Sequence, residues 1–209
     1  YRSKRAYLAI RCGPVPTLAQ AAHGHDDQLS MEFFVDGAAL VVDPGVFVYT
    51  PLPSSHRWFR SSWVHGLPRR VDAATDSRPE GETMIGEGRV LRCDPAGFVG
   101  EVEGPGGSRY RRFDLREGCL RISDTLPFGS AATQFTLGPD CMASIEGDLA
   151  VIRTSTGSVV EFVAETGECR LGESMLAHGY GWLRRTSVLR WSNLPPGEGR
   201  WPEPRVPFP

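Results

Sequence analysis

Leu29-Ser30-Met31-Glu32-Phe33-Phe34-Val35-Asp36-Gly37-Ala38-Ala39-Leu40-Val41-Val42-Asp43-Pro44-Gly45 is the stretch from which the fold class follows. Two apolar runs flank Asp36-Gly37, a dipeptide that readily takes the positive φ angles of a two-residue hairpin turn. Side chains alternate along a strand, so Leu29, Met31, Phe33 and Val35 share the core face. A two-residue turn then sets Glu32 opposite Val41 and Ser30 opposite Asp43, so Ser30, Glu32, Phe34, Val41 and Asp43 share the other face. Asp43 precedes Pro44-Gly45, which ends the strand and fixes a carboxylate at its rim, or else satisfies its own backbone as a turn aspartate.

The same pattern runs outward along the chain. The 209 residues include 24 Gly and 17 Pro, which interrupt almost every apolar run, and no window keeps a 3.6-residue period. Strands are predicted over 6–11, 88–93, 98–102, 108–114, 119–125, 132–137, 144–145, 150–154, 159–164, 168–171 and 186–191. Turn signals about every 8–12 residues predict an all-β fold, an antiparallel β-sandwich of two layers and many short strands. Residues 1–194 are expected to form one domain, 195–209 an extended Pro/Gly-rich tail, and 51–71 a long irregular loop of the kind that carries sites.

A formal charge of −2 and a pI near 6.2 offer no electrostatic attraction for nucleic acid or an anionic membrane. No apolar run is long enough to span a bilayer. Cysteines 12, 93, 119, 141 and 169 are odd in number and lack paired spacing, so they read as core or free thiols. Tyr1-Arg2-Ser3-Lys4 carries neither an initiator methionine nor a signal-peptide pattern, and the chain is expected to be a piece of something longer.

His23, His25 and His65, three of the four histidines in the first third of the chain, lie there together with Asp43. On extended backbone, His23 and His25 face the same way, and Gly24 between them permits close approach of a ligand or another segment. Imidazole and carboxylate suit a borderline metal such as zinc. The bland alternative is a surface turn, with His65 a half-buried histidine bonded to backbone. A cupin-like metalloenzyme also uses His-x-His on a β scaffold, but its glutamate follows four or five positions after the second histidine, whereas Glu32 lies seven beyond His25.

Gly24-His25-Asp26-Asp27-Gln28-Leu29-Ser30, Glu32-Phe33, Asp36-Gly37, Val42-Asp43-Pro44-Gly45, Tyr49, and Trp58-Phe59-Arg60-Ser61-Ser62 with His65 together resemble the heparinase II/III-like family of polysaccharide lyases. The likeness runs from about residue 22 to 72 with the order intact, and more loosely through Arg111-Arg112-Phe113 and Gly179-Tyr180-Gly181-Trp182. Two positions depart from the family pattern: Phe47 stands at a tyrosine position and Gly66 where asparagine is usual.

The resemblance implies a metal, zinc, held by His25, Asp43 and His65, and His23 at the active site in proton abstraction or substrate steadying. It implies β-elimination from a uronic-acid polysaccharide, heparan sulfate-like or alginate-like. It also implies an N-terminal (α/α) toroid, absent here, that supplies a catalytic tyrosine, so the β domain alone is expected to cut slowly or not at all. An acidic polymer gives Arg57, Arg60 and His56 carboxylates or sulfates to recognise, or leaves them as solvated charge. Trp58 and Trp63 can stack on sugar rings or pack the core, and Tyr49 can line the cleft or donate a proton. His178 is expected to border the same cleft. A polysaccharide substrate favours the periplasm or secretion, and a non-catalytic carbohydrate-binding or structural β module is the competing reading.

Overall fold

The computed structural model describes residues 1–15, 23–71, 86–104, 107–116, 118–127, 130–147 and 149–193. The hairpin at its centre joins β2 (Met31–Val35) to β3 (Ala38–Val41), with β1 (Ala6–Ile10) on the far side of β2. Asp36 and Gly37 take φ of 49° and 82°, the left-handed turn that this dipeptide favours. One residue past the expected ladder, the register changes. Val35 pairs with Ala38 and Phe34 with Ala39, but a bulge then sets Phe33, not Glu32, against Val41. Leu40 and Val41 are consecutive apolar side chains, and the bulge buries both, at 0% and 2% exposure. Val41 therefore belongs to the core rather than to the polar face.

Three further antiparallel sheets complete the all-β sandwich. The strands β5 (Gly88–Asp94), β6 (Gly97–Val102), β7 (Arg109–Arg116) and β8 (Cys119–Thr125) form a meander. A smaller meander holds β10 (Met142–Glu146), β11 (Leu149–Arg153) and β12 (Val159–Val163). The fourth sheet is ordered β13 (Glu168–Gly179), β14 (Trp182–Ser192), β9 (Ser130–Thr136) and β4 (Arg69–Val71). Leu8, Met31, Leu40, Phe98, Phe113, Phe135, Ile152 and Leu189 come from all four sheets into one core. Each such side chain contributes roughly 1.5–3 kcal/mol by leaving water.

Within 51–71, expected to be irregular, lie α1 (Pro53–Arg60) and β4. Pro53 opens the helix at a position where its missing N–H costs nothing, and Arg57 and Arg60 sit in the last turn, where cations suit the helix dipole. Its eight residues are too short to show a helical period, which is why the spacing gave no sign of it. Trp58 and Phe59 pack with Val64, Phe47, Met175, Ala177 and Leu183 in a second, smaller core. Strands β13 and β14 are far longer than 168–171 and 186–191, pairing from Glu168↔Ser192 to Gly179↔Trp182. Gly172 and Gly179 had masked that continuity. All five cysteines are free thiols. Among the described residues no helix is long and apolar enough to cross a membrane. The tail from residue 195 lies outside the described residues.

Candidate metal centre

The last carbonyls of any helix lack partners within it. Here the end of α1 finds them in the His-Gly-His segment and in His65. Ser61 donates its amide and its hydroxyl to Trp58 O, at 3.1 and 2.8 Å. His65 Nε2 lies 3.0 Å from Phe59 O, and the Asp26 amide donates to Arg60 O at 2.9 Å. Arg60 returns the contact, its Nε donating to Gly24 O at 2.6 Å. The helix end, the His23–Asp27 segment and the His65 loop are thus clamped together by groups that each needed a partner.

Three donors meet there. His65 Nδ1 donates to Asp43 Oδ2 at 2.7 Å, and His65 Nε2 lies 3.1 Å from His25 Nδ1. The Gly45 amide donates to Asp43 Oδ1 at 2.8 Å, holding the carboxylate at the strand rim. His65 is fully buried, and the ligand atoms of His25, Asp43 and His65 all lie within 4.8 Å of one another. Burial pushes the His25 imidazole down to about 4, reinforced by His65 beside it. Burial also works against a charged Asp43, but His65 and the Gly45 amide outweigh it and hold that carboxyl at about 2. For His65 burial opposes the charged ring, yet Asp43, Asp27 and Phe59 O raise its pKa above the ordinary imidazole value. The corner therefore favours one positive charge, on His65, set between a carboxylate, a carbonyl and the C-terminal end of a helix dipole, and disfavours a second on His25.

That donor set fits zinc: two imidazoles and a carboxylate, converging from three segments. Around a tetrahedral zinc with bonds of about 2.0–2.1 Å the ligand atoms stand roughly 3.3 Å apart, between the 2.7 Å of the His65–Asp43 hydrogen bond and the 4.8 Å within which all three ligand atoms lie.

His23 stands just outside this group. It is exposed and meets Tyr49 edge to face at 5.5 Å between ring centroids. Tyr49 in turn meets His56 at 5.1 Å and stacks on Tyr180 at 6.1 Å. A pocket of about 260 Å³ opens beside them, lined by Arg11, His23, Gly24, His25 and Asp27. Of the other residues singled out, Arg57 is exposed on α1, whereas Trp58 is 8% exposed in the smaller core. Trp63 carries the Arg69 guanidinium over its ring at 5.0 Å. His178 is exposed near the end of β13 and, among the described residues, touches none of these groups through a hydrogen bond or ring contact.

Several residues that build the corner were given no role there by the sequence. Arg111, fully buried on β7, pairs bidentately with Asp124 and donates to Leu29 O, Thr133 Oγ1 and Gly66 O. Leu29 takes a φ of 65°, costly for a branched side chain, and is held by donating its amide to Arg11 O and accepting from Arg111. Gly66 has a steric reason to depart from asparagine: a Cβ there would lie 2.8 Å from Gln134 O.

Residues 1–66 match the family described as Heparinase II/III-like, C-terminal. No curated protein matches the chain. Among solved structures, a heparan sulfate lyase from Pedobacter heparinus shares its fold with a TM-score of 0.69 at 14% identity, over 88% of this chain and 30% of its own. A heparinase III gene product gives 0.66 at 15% identity, covering 88% of this chain and 29% of its own. A further heparinase III gives 0.63 at 14% identity, covering 88% and 31%. The chain thus spans less than a third of the length of each of these proteins. Residues 1–66 are thus similar to the heparinase II/III-like C-terminal domain, and 88% of the chain shares its fold with these three structures.

Proposed function

We propose that this chain is the β-sheet domain of a lyase that cleaves a uronic-acid-containing polysaccharide, heparan sulfate-like or alginate-like, by β-elimination. A helical toroid outside residues 1–209 completes the enzyme, which works in the periplasm or outside the cell. The observation that carries this reading is the convergence of His25, Asp43 and His65 within 4.8 Å, with the exposed His23 lining a pocket that His25 also lines.

In such a reaction a base takes the proton at C5 of the uronate, and the electron pair left on carbon forms the C4–C5 double bond. The bond from C4 to O4 breaks, and O4 leaves with a proton from an acid. Imidazole can take and return a proton near neutral pH, so His23 is the base or the group that steadies the charge developing on the carboxylate. Zinc bound by His25, Asp43 and His65 supplies fixed positive charge that holds three segments in register. Tyr49 packs against His23 and limits where its ring can turn. Arg60 keeps the His-Gly-His backbone in place through Gly24 O, and Arg57 offers an exposed cation to an acidic polymer.

Metal analysis of the full-length protein and of His25→Ala, Asp43→Ala and His65→Ala tests the metal centre. One zinc per chain is expected in the parent and less than a tenth of that in each variant; equal metal in all four would overturn it. The ultraviolet absorbance of unsaturated uronate, followed on heparan sulfate and alginate, tests the reaction. His23→Ala is expected to keep its zinc and lose at least a hundredfold in kcat, and full activity in that variant would remove His23 from the chemistry. Zinc without lyase activity on any uronate polymer would favour the non-catalytic module.

A further inference from the structure

The turn between β13 and β14 lies more than a hundred residues beyond the segment that matches the family, yet it is built into the same corner. The Ala177 amide donates to Pro44 O at 2.9 Å and the Gly181 amide to Phe47 O at 2.8 Å. Pro44 directly follows Asp43, so the hairpin is seated on the strand end that carries the carboxylate. Gly45 takes a φ of 70°, and a Cβ there would lie 3.2 Å from Ala177 O, so the approach is close because residue 45 is glycine. Leu183 and Ala177 bury against the Trp58–Phe59 cluster and anchor the hairpin from its other side.

This seating decides where Tyr180 stands. Its ring lies 22° from parallel to Tyr49 at 6.1 Å, an offset stack, and Tyr49 meets His23 edge-on at 5.5 Å. One face of Tyr180 is covered by Tyr49, while the residue as a whole is 61% exposed. Among the described residues its hydroxyl has no hydrogen-bond partner. A large aromatic residue held on one side, open on the other, and two ring contacts from His23, which lines the pocket, is poorly explained by packing alone. Its flat apolar face suits the C–H face of a pyranose, and its free O–H suits a ring hydroxyl or carboxylate.

We infer that Tyr180 is a substrate-binding residue, stacking on a sugar residue of the acidic polysaccharide next to the one that His23 addresses. The inference rests on the lyase reading and deepens it by assigning a subsite to the far end of the chain.

The test is steady-state kinetics of the full-length protein on heparan sulfate and on alginate, with zinc content measured in parallel. Tyr180→Ala is expected to raise KM about tenfold, the scale of one lost aromatic contact, with kcat within about twofold and zinc unchanged. Tyr180→Phe, which keeps the ring, is expected to stay within about threefold of the parent KM. Tyr180→Leu keeps apolar bulk without the aromatic face and is expected to follow Tyr180→Ala, which guards against a simple folding defect. Trp182→Ala is the control. Trp182 is 73% exposed at the same tip, but it neighbours Leu183 on β14 and so faces away from the anchored side. An unchanged KM in Tyr180→Ala, or an equal rise in Trp182→Ala, would overturn the subsite while leaving the lyase reading intact. A parent protein that yields no unsaturated product from either polymer would overturn both.

Discussion

The guanidinium of Arg111 on β7 donates to Gly66 O, the carbonyl immediately after His65, from 45 residues further along the chain. The same side chain pairs with Asp124 and donates to Leu29 O, so one buried cation ties the His65 loop to the strand entry at Leu29. Side-chain exposure is 0% for Arg111 and 4% for Asp124. Removing one partner of such a pair strands the other charge in the interior. Arg111→Met is expected to cost about 3–5 kcal/mol, measured by urea unfolding. The double variant Arg111→Met with Asp124→Leu is expected to recover part of that loss, because no charge is then left unpaired. Equal destabilisation in single and double variants would show that the hydrogen bonds to Leu29 and Gly66 dominate instead.

Gly66 is a matter of space. Its neighbour Gln134 O would lie 2.8 Å from any Cβ, and that oxygen belongs to backbone in the central strand β9, which cannot step aside. Gly66→Asn is expected to destabilise by about 1–3 kcal/mol and to lower the thermal midpoint. A neutral result would mean that the His65 loop shifts freely.

Arg60 separates positioning from recognition. Its Nε donates to Gly24 O between the two histidines. If its first task is to hold that backbone, Arg60→Ala weakens zinc binding about tenfold, as loss of a supporting contact behind a metal ligand does. Competition against a chromophoric chelator reads this directly. An unchanged zinc affinity with a raised KM would assign Arg60 to the substrate alone.

Acid stability should report the hairpin turn. Asp36 accepts a bidentate pair from Arg5 at 2.8 Å and the Ser158 hydroxyl at 2.7 Å, and these hold its carboxyl well below the usual carboxylate range. A carboxyl lowered by folding adds stability above its unfolded pKa of about 3.9, and that contribution disappears as pH falls through the folded value. Asn serves the left-handed turn as well as Asp. Asp36→Asn is therefore expected to leave the turn formed and to flatten the loss of thermal stability below about pH 4. The pair is solvent-exposed, so the effect at neutral pH should be small. An acid limb identical to the parent's would place the sensitivity elsewhere.

The hairpin at Asp36-Gly37 was legible because local chemistry alone specifies it, and so were most strand positions, where apolar alternation and turn residues agree. The bulge that turns Val41 inward was not, since it depends on how Leu40 and Val41 compete for one core. Helix α1 escaped notice because its stability comes from burying Trp58 and Phe59 rather than from period or propensity. For the corner, residue types and order brought out His23, His25, Asp43, His65 and Tyr49, which do lie together. Arg111, Leu29 and Tyr180 lay in stretches that carry the resemblance, but their roles were not legible there: a buried arginine, a strained leucine and a hairpin-tip tyrosine acquire them only from distant partners.

The seating of the β13–β14 turn on Pro44 and Phe47 has a consequence for biosynthesis. The strand end bearing Asp43 leaves the ribosome before the backbone that roofs it, which is made some 130 residues later. Pairing so distant in sequence forms slowly, since a long loop must close before any contact rewards it. During translation the corner should thus stay unroofed until the chain has emerged through about residue 192, where β14 ends.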